Sequence, residues 1–290
     1  SSDACGILGS SVSPSVFGCN NVGNNSVALT VTDVHGNSDV GTATVTVVDN
    51  IAPIVVTKSA SVSLDSTGAG SIVAGDVNGG SHDACGVQSV SVSQSGFVCG
   101  DVGTRTVTVT VLDVNGNTAT GSASVLVSDS VSPSVVTKAA SVYLNSNGQG
   151  SLVASDIDDG SSDACGVQSR SVSVGSFTCN NVGINTVTLS VTDVNGNTAS
   201  GSSSVTVIDN VSPVVRTKNI TVSLDSSGHG SISGSSVNDG SSDACGIQSL
   251  QVDVSSFGCS AIGASNAVVL TVRDQNGNQA SGTAYVSVAD

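Results

Sequence analysis

The stretch Ser81-His82-Asp83-Ala84-Cys85-Gly86 returns at Ser1–Gly6, Ser161–Gly166 and Ser241–Gly246, with Ser in place of His at its second position. A second cysteine follows each copy. The first cysteines stand at Cys5, Cys85, Cys165 and Cys245, and the second at Cys19, Cys99, Cys179 and Cys259. The step is 80 residues every time, which marks a tandem array and sets the frame for every other motif. Residues 1–50 match the later part of a repeat, and 51–130, 131–210 and 211–290 are whole ones. Each boundary carries a short proline-containing joint: Asp49-Asn50-Ile51-Ala52-Pro53, Asp129-Ser130-Val131-Ser132-Pro133 and Asp209-Asn210-Val211-Ser212-Pro213. Proline fixes its own φ and restrains the residue before it, so semi-rigid joints and domains in a line are expected. The array reads as a window from a longer one, and any targeting signal is expected outside it.

A unit of this size buries only roughly 60–65% of its unfolded surface, so a covalent staple is useful. With four Phe, two Tyr, no Trp and no Met, valine has to fill the core. The Val/Ser/Thr/Gly-rich composition suits short strands and tight turns. In residues 51–130 the period-2 alternation marks strands at 54–58, 59–64, 71–74, 87–93, 97–99, 104–112 and 118–128. Along 104–112, Val107, Val109 and Val111 face one way and threonines the other. Asn115-Gly116 signals a two-residue hairpin turn. About seven short strands without a helical period predict an all-β fold, an immunoglobulin-like antiparallel β-sandwich in each repeat, with the repeats forming an elongated rod.

Eight cysteines in four evenly spaced pairs point to disulfides and an oxidising compartment. Even residues 1–50 hold both members of a pair, which favours bonding within each repeat, Cys5 to Cys19 and Cys85 to Cys99. Such a bridge closes a loop of about 15 residues, worth roughly 3 kcal/mol. It requires the chain to double back near Gly96. No CxxC pair or histidine cluster accompanies the cysteines, which argues against zinc.

The chain carries 7 basic and 22 acidic residues, all the acids being Asp, for a net charge of −15. That balance argues against nucleic acid and anionic lipid as partners. No apolar run is long enough for membrane insertion. Aspartates in loops can chelate Ca²⁺, which takes several oxygen ligands. The ligands expected at the first joint are Asp49, Asn50, Asp76, Asp83, Asp113 and Asn115. The second joint would use Asp129, Asp156, Asp158, Asp163 and Asp193, and the third Asp209, Asn210, Asp239, Asp243 and Asp274. The competing reading is that Asp113, Asp193 and Asp274, each opening an Asp-x-Asn-Gly-Asn turn, only cap backbone N–H groups. An EF-hand is ruled out because its twelfth position needs Glu, which this chain lacks. His35, His82 and His229 occupy different repeat positions, so no catalytic imidazole recurs and an enzyme is not expected. Lys58, Lys138 and Lys218 do recur, and read as surface lysines rather than isopeptide crosslinks.

Asp-Asn-Ile-Ala-Pro at the joint, Asp-Ala-Cys-Gly in the loop and Thr-Val-Thr-Asp-Val-x-Gly-Asn before the last strand resemble the hyalin-type, immunoglobulin-like repeats of giant Bacteroidetes cell-surface adhesins, such as gliding-motility adhesins and surface filaments. The joint also resembles the Ca²⁺-binding linkers of cadherins, without their glutamates. The resemblance spans the whole chain. It implies an extracellular stalk or filament on a bacterial surface that mediates or presents adhesion. The parent protein would engage surface polysaccharide, other cells or abiotic surfaces. Each sandwich would add roughly 35–40 Å of length. Two alternatives are carbohydrate-binding modules of a secreted enzyme and a fibre built by lateral self-association. The first is disfavoured because Tyr143 and Tyr285 are not equivalent positions; the second is open to Val/Thr-rich edge strands.

Overall fold

The computed structural model describes residues 1–290, which form two compact units, Ser1–Val131 and Ser132–Asp290. The first unit opens with β1 (Ile7–Ser13), β2 (Gly23–Asp33) and β3 (Ser38–Val47), an antiparallel sheet in that order. Residues 51–130 then supply β4 (Ala60–Ser63), β5 (Ala69–Ser71), a single helical turn α1 (Ala74–Val77), β6 (Val87–Val92), β7 (Gly96–Val98), β8 (Gly103–Asp113) and β9 (Thr118–Ser128). One sheet has the order β4-β9-β8-β6, and β5 pairs with β7 in a second. β4 runs parallel to β9, while the other pairs are antiparallel.

The second unit holds two more copies. Residues 131–210 form β10 (Ala140–Tyr143), β11 (Gln149–Ser151), α2 (Ala154–Ile157), β12 (Val167–Val172), β13 (Ser176–Thr178), β14 (Gly183–Asp193) and β15 (Thr198–Ile208). Residues 211–290 form β16 (Ile220–Ser223), β17 (His229–Ser231), α3 (Gly234–Val237), β18 (Ile247–Val252), β19 (Ser256–Gly258), β20 (Ser265–Asp274) and β21 (Gln279–Ala289). The sheet order is the same in all three whole repeats. The chain is therefore an all-β array of three β-sandwich repeats with a partial one before them.

The cores follow the alternation. Val107, Val109 and Val111 on β8 are buried, as are Val125 and Val127 on β9 and Leu64, Ile72, Val77 and Phe97 from the other elements of the repeat. In residues 131–210 one cluster joins Val187, Leu189, Val191, Val205 and Val207 to Val142, Leu144, Leu152, Ile157 and Phe177. With so few large side chains, the layers must approach closely. A Cβ added to Gly150 would lie 2.5 Å from Val142 Cγ1, and one on Gly70 would lie 2.8 Å from Val62 Cγ2. Residues 1–50 contain no counterpart of the second layer. Leu29 and Val31, equivalent to Leu189 and Val191, are accordingly only half-buried.

Two local expectations are corrected. The β8–β9 connection is not a two-residue turn, because that geometry would need positive φ at Asn115 and only glycines adopt it here. Instead Gly116 alone has positive φ (95°), Gly116 N–H donates to Asp113 O at 3.4 Å, and Asp113 N–H donates to Asn117 O at 3.0 Å. The cysteine pairing is the second. β6 pairs with β8 and β7 with β5, so the chain crosses between sheets at Ser93–Ser95 without reversing direction. Cys85 then lies beyond the Asp113 end of β8 and Cys99 near its Gly103 end, roughly 33 Å apart at the rise of an extended strand.

That separation excludes a Cys85–Cys99 bridge. The bridges instead join one repeat to the next, Cys19 to Cys85 and Cys179 to Cys245, each at a sequence separation of 66 and with Cα atoms 5.0 and 5.1 Å apart. Cys99 and Cys165 are also disulfide-bonded, while Cys5 and Cys259, expected in bridges, are exposed free thiols.

Candidate metal centre at the repeat joints

The joint inside each unit is assembled from three local pieces. The first is the aspartate that follows the last strand of a repeat. Asp49 Oδ1 accepts from Ile51 N–H at 3.1 Å and Asp209 Oδ1 from Val211 N–H at 3.1 Å, which turns the chain into the proline-bearing linker. The second is the Asp-Ala-Cys loop of the following repeat. Asp83 Oδ1 accepts from Cys85 N–H at 2.7 Å, and Asp243 Oδ1 from Cys245 N–H at 2.8 Å. The third is the hairpin turn after β8 or β20. Asn117 Nδ2 donates to the Asp49 carbonyl at 3.3 Å, and Asn278 Nδ2 to the Asp209 carbonyl at 3.2 Å.

These pieces bring carboxylate oxygens of Asp49 and Asp83, with Cys85 Sγ, within 4.8 Å of one another, and likewise Asp209, Asp243 and Cys245. Asp49 Oδ2 and Asp209 Oδ2 are buried and accept no hydrogen bond, and the amide oxygen of Asn115 is in the same condition. Asp209 as a whole is only 7% exposed. Burial pushes its carboxyl above the usual range, the neighbouring Asp243 and Asp274 carboxylates add to the rise, and the bond from Val211 opposes it. Desolvated oxygens with open lone pairs, facing a second carboxylate, are a costly arrangement in the absence of a cation. The donors fit a hard ion. Both cysteine sulfurs are tied up in disulfides, which leaves oxygens alone, the ligand type of Ca²⁺.

Several residues expected in the site are engaged elsewhere. Asp113 and Asp274 are fully buried and saturated by their own turns. Asp113 Oδ1 accepts from Asn115 N–H and Asn117 N–H at 2.9 and 2.8 Å, and Oδ2 from Asn117 Nδ2 at 2.8 Å. Asp193 and Asp274 repeat the pattern. Burial works to raise the Asp113 carboxyl, but the donors from Asn117, Asn115 and Gly116 outweigh it and hold it below its ordinary value. The capping reading therefore describes these three.

Asp76 and Asp156 cap the helical turns, accepting from Val73 and Val153 N–H at 2.8 Å. Ser236 does the same for Ser233, which explains why Ser can replace Asp there. Asp158 accepts from Ser161 N–H and pairs with Arg170 at 2.8 Å. Asn50, Asn210 and Asp239 are exposed. Asp129 and Asp163 make the same local bonds as their equivalents, to Val131 and Cys165 N–H. Asn117 and Asn278 were not singled out in the sequence, although the last Asn of Asp-x-Asn-Gly-Asn was their signal.

The fold and joints define a class: tandem all-β sandwich repeats with acidic, disulfide-stapled junctions. No protein-family model and no curated protein sequence matches the chain. Among solved structures it is similar to the protocadherin gamma B4 extracellular domain, at 14% identity over 95% of this chain and 57% of that one, with a TM-score of 0.34. It is also similar to protocadherin gamma B2 cadherin domains 1–5 (13% identity, 98% and 74% covered, TM-score 0.32) and to Sidekick-1 immunoglobulin domains 1–5 (9%, 94% and 67%, TM-score 0.36). The chain spans little more than half the length of the gamma B4 ectodomain.

Proposed function

We propose that this chain is a structural spacer, the stalk or filament region of a large bacterial cell-surface adhesin, with Ca²⁺ bound at its repeat joints. The role is structural and non-enzymatic: it extends from the cell and presents or mediates adhesion, including adhesion that serves gliding motility. The observation that carries this reading is the bridge from one repeat to the next. A disulfide within a repeat would stabilise a domain, whereas one that crosses a joint resists pulling the domains apart. Ca²⁺ at Asp49/Asp83 and Asp209/Asp243 would neutralise the paired carboxylates and add a second clasp at the same place. Oxidised cysteines suit an extracellular location. The bacterial source and the gliding context rest on the resemblance of the joint, loop and hairpin motifs.

The test is thermal unfolding of the oxidised chain with Ca²⁺ and with a chelator, alongside small-angle scattering. At a Ca²⁺ concentration 100 times Kd, each occupied site contributes about 2.7 kcal/mol and the midpoint rises. Scattering from a spacer gives a maximum dimension above about 100 Å, from three and a half sandwiches at strand-length spacing. Identical midpoints in Ca²⁺ and chelator would remove the cation, and a compact particle would remove the spacer.

A further inference from the structure

Asp83 and Cys85 are two residues apart, as are Asp243 and Cys245, and in each pair the carboxylate accepts a hydrogen bond from the cysteine N–H. The disulfide and the acidic pair are thus two features of one three-residue loop. The bridge pins that loop to the preceding repeat at a Cα separation of 5.0 or 5.1 Å. The same loop carries Asp83 or Asp243 to within 4.8 Å of Asp49 or Asp209. Nothing about two carboxylates favours this approach. They repel each other, and Asp209, 7% exposed with Oδ2 unpartnered, has also given up its water. Around the pair, the covalent bond opposes that repulsion, aided by the single bond from Asn117 or Asn278 to the preceding repeat's carbonyl.

From this geometry we propose that the inter-repeat disulfide and Ca²⁺ binding at the joint are thermodynamically coupled, so that the redox state of Cys19–Cys85 and Cys179–Cys245 sets the cation affinity of the joints. The proposal rests on the cation reading above and adds its regulation. With the bridge closed, the ligands are preorganised and the cation meets carboxylates already held together. With the bridge open, repulsion is free to separate Asp49 from Asp83, and binding must first bring them back. Opening consumes a dithiol: the S–S bond takes two electrons and two protons, giving two cysteine thiols, and the dithiol becomes a cyclic disulfide. Linkage is reciprocal, so whatever factor reduction removes from Ca²⁺ affinity, Ca²⁺ adds to the resistance of the bridge against reduction. A joint in Ca²⁺-rich surroundings is then locked twice, and loss of either clasp weakens the other.

The experiment is a calorimetric Ca²⁺ titration of the full chain, oxidised and after dithiothreitol, with circular dichroism recording whether the sandwiches persist. About tenfold weaker binding after reduction is expected, within the usual range of inter-site couplings. Equal affinity in both states overturns the coupling while leaving the site intact. No binding by the oxidised chain overturns the cation reading, and the coupling with it. The reverse measurement covers a reduced chain that does not fold. Thiols of Cys19 and Cys179 are counted by alkylation and mass spectrometry across a series of reduced-to-oxidised dithiothreitol ratios. Ca²⁺ should shift the midpoint by the same factor in the native chain and leave it in place in a variant carrying Asp83→Asn and Asp243→Asn. An unshifted native midpoint, or an equal shift in the variant, overturns the proposal.

Discussion

Asp65 in the first whole repeat shows how much one side chain decides. Asp65 closes the turn before β5: its Oδ1 accepts from Thr67 N–H, Thr67 Oγ1 and Ala69 N–H. The Thr67 hydroxyl and these amides hold its carboxyl below the ordinary value of 3.8. The equivalent Asp225 behaves alike, bonded from His229 and Ser227. In the middle repeat the residue is Asn145, which accepts from Asn147 and Gln149 N–H with an oxygen that does not titrate. A depressed carboxyl stabilises above its unfolded pKa and loses that contribution as pH falls through its folded value. Amide exchange should therefore show protection at Thr67 and Ala69 falling below about pH 4, with Asn147 and Gln149 unchanged. A parallel loss at all four amides would reject this account. Burial gives the second residue-scale prediction. Leu189 is completely buried and Leu29, at the same repeat position, is not. Leu189→Ala should cost about 3 kcal/mol and Leu29→Ala about 1 in denaturant unfolding; equal costs would mean that residues 1–50 bury Leu29 in solution.

At the scale of elements, β6 and β7 decide the covalent structure. Both lie between the two cysteines of a repeat, and the spacing of those cysteines is compatible with a local bridge. What separates them is the exchange of partner, β8 for one strand and β5 for the other, which carries Cys99 to the far end of the domain. The resulting bridge encloses a 66-residue step rather than a short loop. The entropy removed from the unfolded chain grows with loop length, to about 4 kcal/mol against roughly 3 for 15 residues. A variant with Cys19→Ser and Cys85→Ser should lose about that much in the unfolding of the first unit. It should retain its β-sheet circular dichroism, since the buried residues of 51–130 are supplied by Leu64, Ile72, Val77, Phe97 and the valines of β8 and β9. Loss of the sheet spectrum would show that the bridge is needed for the sandwich itself. The second constraint at this scale is the close approach of β11 to β10. Gly150→Ala should cost about 1–3 kcal/mol by overpacking against Val142, and a neutral result would mean that the layers can move apart.

For the whole molecule, the acidic joints separate two roles that look identical in composition. Asp243→Asn should remove the Ca²⁺-dependent gain in the second unit while leaving its chelator-state stability unchanged or higher, since it deletes a repulsive charge. Asp274→Asn should lower stability with and without Ca²⁺, because that side chain caps its turn. Calorimetry of both variants in Ca²⁺ and chelator separates the two, and a Ca²⁺ gain surviving in Asp243→Asn would move the cation elsewhere. The sequence alone determined the 80-residue period, the all-β alternation, the valine core and the acidity of the joints. These follow from repetition and from side-chain periodicity, which are properties of neighbours along the chain. Only the tertiary structure decided which cysteines meet, which aspartates cap turns and which face one another across a joint. Those choices depend on which sheet each strand enters, and strand partnership is settled by packing between residues far apart in the chain, which spacing does not encode.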